Sequence, residues 1–121
     1  MTRGEIATAL SSSQAASVAE HLAEDIEWNI FKESASHKGK RAVVEFANQI
    51  LGYFGTVETR FTTTGMIEGA DAIAIYGTAE FLKNGNLVNS VNSCDVYEFD
   101  ESDRVIRINS YCNSARPNTE N

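Results

Sequence analysis

The spacing of hydrophobic positions changes period several times along the chain, and each change predicts an element boundary. Residues 5–10 predict a short helix, stopped by Ser11-Ser12-Ser13, because serine hydroxyls compete with the helix for local backbone hydrogen bonds. Ala15, Val18, Ala19 and Leu22 recur at helical spacing and predict a second helix over 15–23. The period then falls to two over 25–30, with Ile26, Trp28 and Ile30 on one side and Glu27 and Asn29 on the other, the pattern of a half-buried strand. His37-Lys38-Gly39-Lys40 reads as a loop. A third helix over 41–51 carries Val43, Phe46, Ala47, Ile50 and Phe54 along one face, with Gly52 and Gly55 as its stop. Four strands follow, at about 57–67, 72–83, 87–99 and 105–113. They are separated by Glu68-Gly69-Ala70-Asp71, Asn84-Gly85-Asn86 and Asp100-Glu101-Ser102-Asp103. Asn-Gly is a favoured hairpin dipeptide, since both residues tolerate positive φ.

Helices first and an antiparallel meander afterwards predict a single α+β domain with helices on one face of a curved sheet. Alternation assigns Val57, Phe61, Ile73, Ile75, Gly77, Ala79, Phe81, Tyr97, Phe99 and Ile108 to the inner face. The outer face carries the charges, interspersed with Tyr76, Thr78, Leu82, Val88, Ser90, Val96 and Tyr111. Gly77 and Ala79, small residues between larger ones, leave room on the inner side, and an unfilled interior is expected to be a pocket. The tail from about 114, with the only proline, is polar and expected to fray.

Composition narrows the function. With 121 residues the chain can bury one core. A formal net charge of -7 argues against nucleic acid and anionic membrane surfaces, which demand clustered Lys and Arg. No apolar run approaches a membrane span and no leader opens the chain, so a cytosolic (cytoplasmic) protein is expected. The two cysteines, Cys94 and Cys112, fall on opposite sheet faces and make no disulfide framework. His21 and His37 lack ligand spacing with each other or with a cysteine, so neither a metal nor another cofactor is expected.

The candidate chemistry centres on Asp95. It shares the inner face with Tyr97 and Phe99, and a carboxylate among apolar neighbours is costly unless it is paired or keeps its proton. Asp95 is therefore the candidate catalytic acid or base. The alternative is a buried polar residue satisfied by Ser93, Ser110, Asn113 or water. Candidate pocket residues are Trp28, Ile30, Phe46, Ile50, Phe54, Phe61, Ala79, Phe81, Ser93, Tyr97, Ile108, Ser110 and Cys112. Cys112 reads as a small apolar filler, His21 as a partly exposed helix residue, and His37 as surface. Lys38, Lys40 and Arg41 read as a solvated loop rather than an anion site.

Three stretches carry a family resemblance: His21-Leu22-Ala23-Glu24-Asp25-Ile26-Glu27-Trp28, Gly39-Lys40-Arg41-Ala42-Val43-Val44-Glu45-Phe46, and Asp95-Val96-Tyr97-Glu98-Phe99 continuing through Ile106 to Tyr111. In this order they resemble the SnoaL-like (polyketide cyclase) branch of the nuclear transport factor 2-like superfamily. The resemblance implies a cone-shaped half-barrel of cystatin-like fold with a ligand pocket at its wide end, and a homodimer joined through the outer sheet face. Ketosteroid isomerase, in the same superfamily, resembles the chain at Asp95, its protonated acid. Its base position falls on Ile30 and its tyrosine on Ile6, and isoleucine moves no proton. Limonene-epoxide hydrolase also resembles the chain at Asp95, but its arginine falls on Ser93 and its second aspartate on about Asn113. The implied ligand is a small hydrophobic or carbonyl-containing molecule. Cofactor-free acid–base chemistry (isomerisation, cyclisation, dehydration or hydrolysis), binding without turnover, and a homodimeric assembly module are all compatible with these residues.

Overall fold

The computed structural model describes residues 1–114. Beyond Ser114, the tail expected to fray lies outside the described residues. The order is α1 (Arg3–Ser11), a 3-10 segment (Ala15–His21), β1 (Leu22–Ile30), a 3-10 turn (Phe31–Glu33), β2 (Ala35–Lys38), α2 (Lys40–Phe54), β3 (Glu58–Glu68), β4 (Ala72–Lys83), β5 (Asn86–Phe99) and β6 (Val105–Ser114). The six strands form one sheet in the order β2-β1-β6-β5-β4-β3. Every pairing is antiparallel except β1 with β6. Register shifts interrupt β3 between Thr63 and Gly65, the β4–β5 pair at Phe81/Leu82, and the β5–β6 pair at Glu98/Phe99. Such bulges bend and twist strands, and they curl this sheet into the α+β cone.

Several boundaries differ from expectation. Helix α1 begins at Arg3, because Thr2 and Glu5 close a capping box: Glu5 N–H donates to Thr2 Oγ1 at 3.1 Å and Thr2 N–H to Glu5 Oε1 at 2.8 Å. The second helix is a 3-10 segment kinked at Val18 and ending at His21, so Leu22 and Ala23 belong to β1. Part of the expected loop is β2: Ser36, His37 and Lys38 pair with Asn29, Trp28 and Glu27. Helix α2 continues through Gly52 to Phe54, since one glycine inside a strongly amphipathic helix costs less than breaking it. Asn84 and Gly85 both have positive φ, as their hairpin requires.

The core is one apolar layer between helices and sheet, including Ile6, Val18, Leu22, Ile26, Val43, Ile73, Phe99 and Val105. Gly77 has a different role from the one its size suggested. A Cβ there would collide with the Thr62 carbonyl oxygen, so glycine is required where β3 bulges against β4. Leu82, expected on the open outer face, is buried beside the second bulge. At the narrow end, Arg3 ties α1 to two hairpin turns. Its guanidinium donates to Asp103 Oδ1 at 2.6 Å and to the carbonyls of Ala70 and Asp100, both at 3.1 Å, and lies 5.2 Å from the Phe99 ring centroid.

Candidate ligand pocket

The strand registers assemble the site in rows. Ser93 pairs with Cys112; Asp95 pairs with Ser110, which pairs with Ile30; Tyr97 pairs with Ile108, which pairs with Trp28. Period-2 alternation turns all of these toward the helices. Helix α2 brings Phe46, Ala47 and Ile50 over them, and the end of α1 with the turn after it adds Leu10, Ser11 and Ser13. Together they enclose a cavity of about 270 Å³.

One hydrogen-bonded chain runs along its wall. The Trp28 indole Nε1–H donates to Ser110 Oγ at 2.8 Å, in a buried contact. Ser110 in turn hydrogen-bonds the Asp95 carboxyl. Burial pushes the Asp95 pKa above its ordinary value, and the Ser110 hydrogen bond offsets only part of that. Burial, then the charges of Asp95 and Cys94, push the Tyr97 phenol well above its usual range, so it stays a neutral donor. Burial also raises the Cys112 thiol, which makes it a poor nucleophile. Behind the cavity, Phe46 packs edge-on to Trp28 at 5.3 Å and stacks on His37 at 4.0 Å. His37 is thus half-buried against an aromatic wall, not plain surface.

Of the residues singled out in the sequence, Trp28, Ile30, Phe46, Ile50, Asp95, Tyr97, Ile108, Ser110 and Cys112 line this one cavity. Phe61, Ala79 and Ser93 line an adjacent cavity that also reaches Asp95. Phe54 and Phe81 line neither. They pack with Tyr53 and Phe61 in an aromatic cluster, with ring centroids 5.3–6.4 Å apart, beyond the point where α2 crosses the sheet. The face of Phe81 was legible in the strand alternation and that of Phe54 in the helical spacing, but their distance from Asp95 was not. Leu10, Ser11, Ser13, Ala15, Glu33 and Ala47 are further lining residues. Ala47 already lay on the apolar stripe of its helix, whereas nothing in the local pattern marks Glu33.

His21 lines neither cavity. Lys38, Lys40 and Arg41 each pair with a carboxylate (Glu27, Glu24 and Glu45). Both cysteines are free thiols. Among the described residues no cluster of His, Cys, Asp or Glu could hold a metal ion. No described helix is long and apolar enough to cross a membrane.

A family model for the SnoaL-like domain matches residues 5–108. The chain belongs to the SnoaL-like family. Among solved structures, this SnoaL-like protein is similar to a nuclear transport factor 2-like protein from Cytophaga hutchinsonii, with 30% identity over 90% of this chain and 94% of that one and a TM-score of 0.78. It is also similar to a proposed SnoaL-like polyketide cyclase from Shewanella denitrificans, with 14% identity, 92% and 90% of the chains covered and a TM-score of 0.70. A proposed isomerase of the SnoaL-like family from Agrobacterium tumefaciens gives 14% identity, 93% and 99% coverage and a TM-score of 0.70. The last two likenesses establish the fold alone. No curated protein matches the chain.

Proposed function

We propose that this SnoaL-like protein binds a small, mostly apolar organic molecule beneath Trp28 and Phe46 and holds its carbonyl oxygen by a hydrogen bond from Asp95. The observation that carries this reading is Asp95 itself, a half-buried carboxyl whose pKa burial raises, on the wall of an otherwise largely apolar cavity. A neutral carboxyl donates where a carboxylate cannot, and a carbonyl oxygen is the acceptor it suits. The neighbours named as polyketide cyclase and isomerase are consistent with a carbonyl-bearing ligand. The test compares acetophenone with ethylbenzene, which match in shape and differ in the carbonyl. One net hydrogen bond corresponds to roughly tenfold in affinity. Acetophenone should bind about tenfold tighter by calorimetry. Asp95→Asn should keep the preference through its amide donor, and Asp95→Leu should erase it. Equal binding of the two compounds by the wild-type protein removes the proposal.

Turnover is a second reading, favoured by Glu33, the other carboxyl on the same cavity. Asp95 would polarise the carbonyl while Glu33 takes a proton from the adjacent carbon, with no cofactor. Exchange of the acetophenone methyl protons in deuterated buffer, followed by NMR, should then exceed the buffer rate and fall to it in Glu33→Gln. Exchange at the buffer rate in the wild type leaves a binding protein. The proposal extends to a cytoplasmic homodimer through the outer sheet face, where Tyr76, Val88 and Tyr111 are exposed. A monomer by sedimentation at micromolar concentration refutes that extension.

A further inference from the structure

Across Ser11 and Asp95 from the aromatic cavity lies a second one, of about 200 Å³, between the end of α1 and strands β3 and β4. Ser11 and Asp95 border both. Each space alone falls short of the roughly 300–1,000 Å³ of a ligand pocket, whereas their summed volume falls within it. Their linings differ in kind. The first is walled by rings and aliphatic chains. The second carries the hydroxyls of Thr8, Ser11, Ser12, Thr63 and Ser93. Among the described residues no Lys, Arg or His lines it, and Asp95 is its only carboxyl.

Most of those hydroxyls have already committed their protons. Thr8 Oγ1 donates to the Gly4 carbonyl at 2.8 Å, Ser11 Oγ to Thr8 at 2.7 Å, and Ser12 Oγ to Ala9 at 3.1 Å. What these oxygens can offer a ligand is lone pairs. The C-terminal end of α1 adds the negative pole of a nine-residue helix. An anion would find neither donors nor positive charge here. An ammonium ion would lose its hydration beside a single carboxyl that burial disfavours as a charge. A group rich in O–H donors meets neither penalty.

Building on the carbonyl-pocket reading above, we propose that this cleft is a second subsite that takes an uncharged, polyhydroxylated substituent, such as a sugar, on the same molecule whose carbonyl-bearing ring lies beneath Trp28. The shared border at Asp95 requires the substituent to sit next to the carbonyl, not across the ring from it.

Calorimetry with four probes tests this: 2-methoxyacetophenone, 4-methoxyacetophenone, and the compounds in which an O-β-D-glucosyl group replaces either methyl. The ortho glucoside should bind at least about tenfold tighter than 2-methoxyacetophenone, the equivalent of one or two net hydrogen bonds. The para glucoside should gain nothing over its methoxy parent. Thr8→Val with Thr63→Val should remove the ortho gain while the affinity for 2-methoxyacetophenone stays within twofold, which also reports that the first cavity remains intact. Binding of the methoxy compounds with no ortho-glucoside gain, or with equal ortho and para gains, overturns the second subsite and leaves the carbonyl pocket standing. Absence of binding by all four compounds overturns both.

Discussion

Burial raises the Asp95 pKa in the folded chain, and this has a signed consequence for stability. In the unfolded chain the group titrates near 3.8, and burial raises its folded value. The folded state therefore binds the proton more tightly, and stability must fall as pH rises from about 3.8 through the folded pKa, then level off. Asp95→Asn keeps the shape and cannot ionise. The stability difference between variant and wild type should thus be near zero at about pH 4 and grow as pH rises. Its size follows from the surroundings: burial raises the pKa, and a single hydrogen bond, from Ser110, opposes that. A buried polar group so incompletely compensated costs about 1–3 kcal/mol. For a chain of this length that is roughly 4–12 °C in Tm. Urea unfolding of both proteins across this pH range reads the difference directly, because the titrations of all other groups largely cancel. A difference that does not change with pH, or a wild type more stable than the variant at about pH 8, contradicts the burial of an uncompensated carboxyl.

Three further outcomes follow from individual contacts. Ser110→Ala strands the Trp28 indole N–H, buried and hydrogen-bonded at 2.8 Å, and should cost about 1–2 kcal/mol in urea unfolding. It also removes the contact that lowers the Asp95 pKa, so the pH-dependent loss of stability should extend to higher pH; an unchanged profile disproves the Trp28–Ser110–Asp95 chain. Gly77→Ala drives a Cβ into the Thr62 carbonyl and should cost about 3 kcal/mol, whereas Gly52→Ala, with open space around it in α2, should stabilise by about 0.5–1 kcal/mol; thermal melts showing the two alike would rule out the bulge explanation. Arg3→Met keeps the stem but loses three hydrogen bonds to the β3–β4 and β5–β6 turns, and should cost about 1–2 kcal/mol while weakening hydrogen-exchange protection in α1 before that of β5.

What could be read from the residues and what could not divide along a physical line. Alternation has period two, so it fixes the face a strand residue occupies, and Asp95, Tyr97 and Ile108 were placed by that alone. It carries no information about depth. Phe54 and Phe81 lie on the inner side yet end in an aromatic plug, because depth is decided by where α1 and α2 cross the sheet. Strand β2 escaped notice for a related reason: at the sheet's edge, Ala35 to Lys38 bury little, and the one ring drawn inward, His37, gains its contact from Phe46 on another element. The capping box at Thr2 and Glu5 was local, and it was legible in principle. Ser11-Ser12-Ser13 is the most instructive case. Its helix-stopping role is local and follows from hydroxyl chemistry, but the same hydroxyls become a wall between two cavities only because α1 ends over Asp95. The Ser11 and Ser12 hydroxyls donate back to carbonyls of the helix they end, and each keeps oxygen lone pairs to spare. Whether those lone pairs meet water or a ligand is set by a tertiary crossing that no window of the sequence contains.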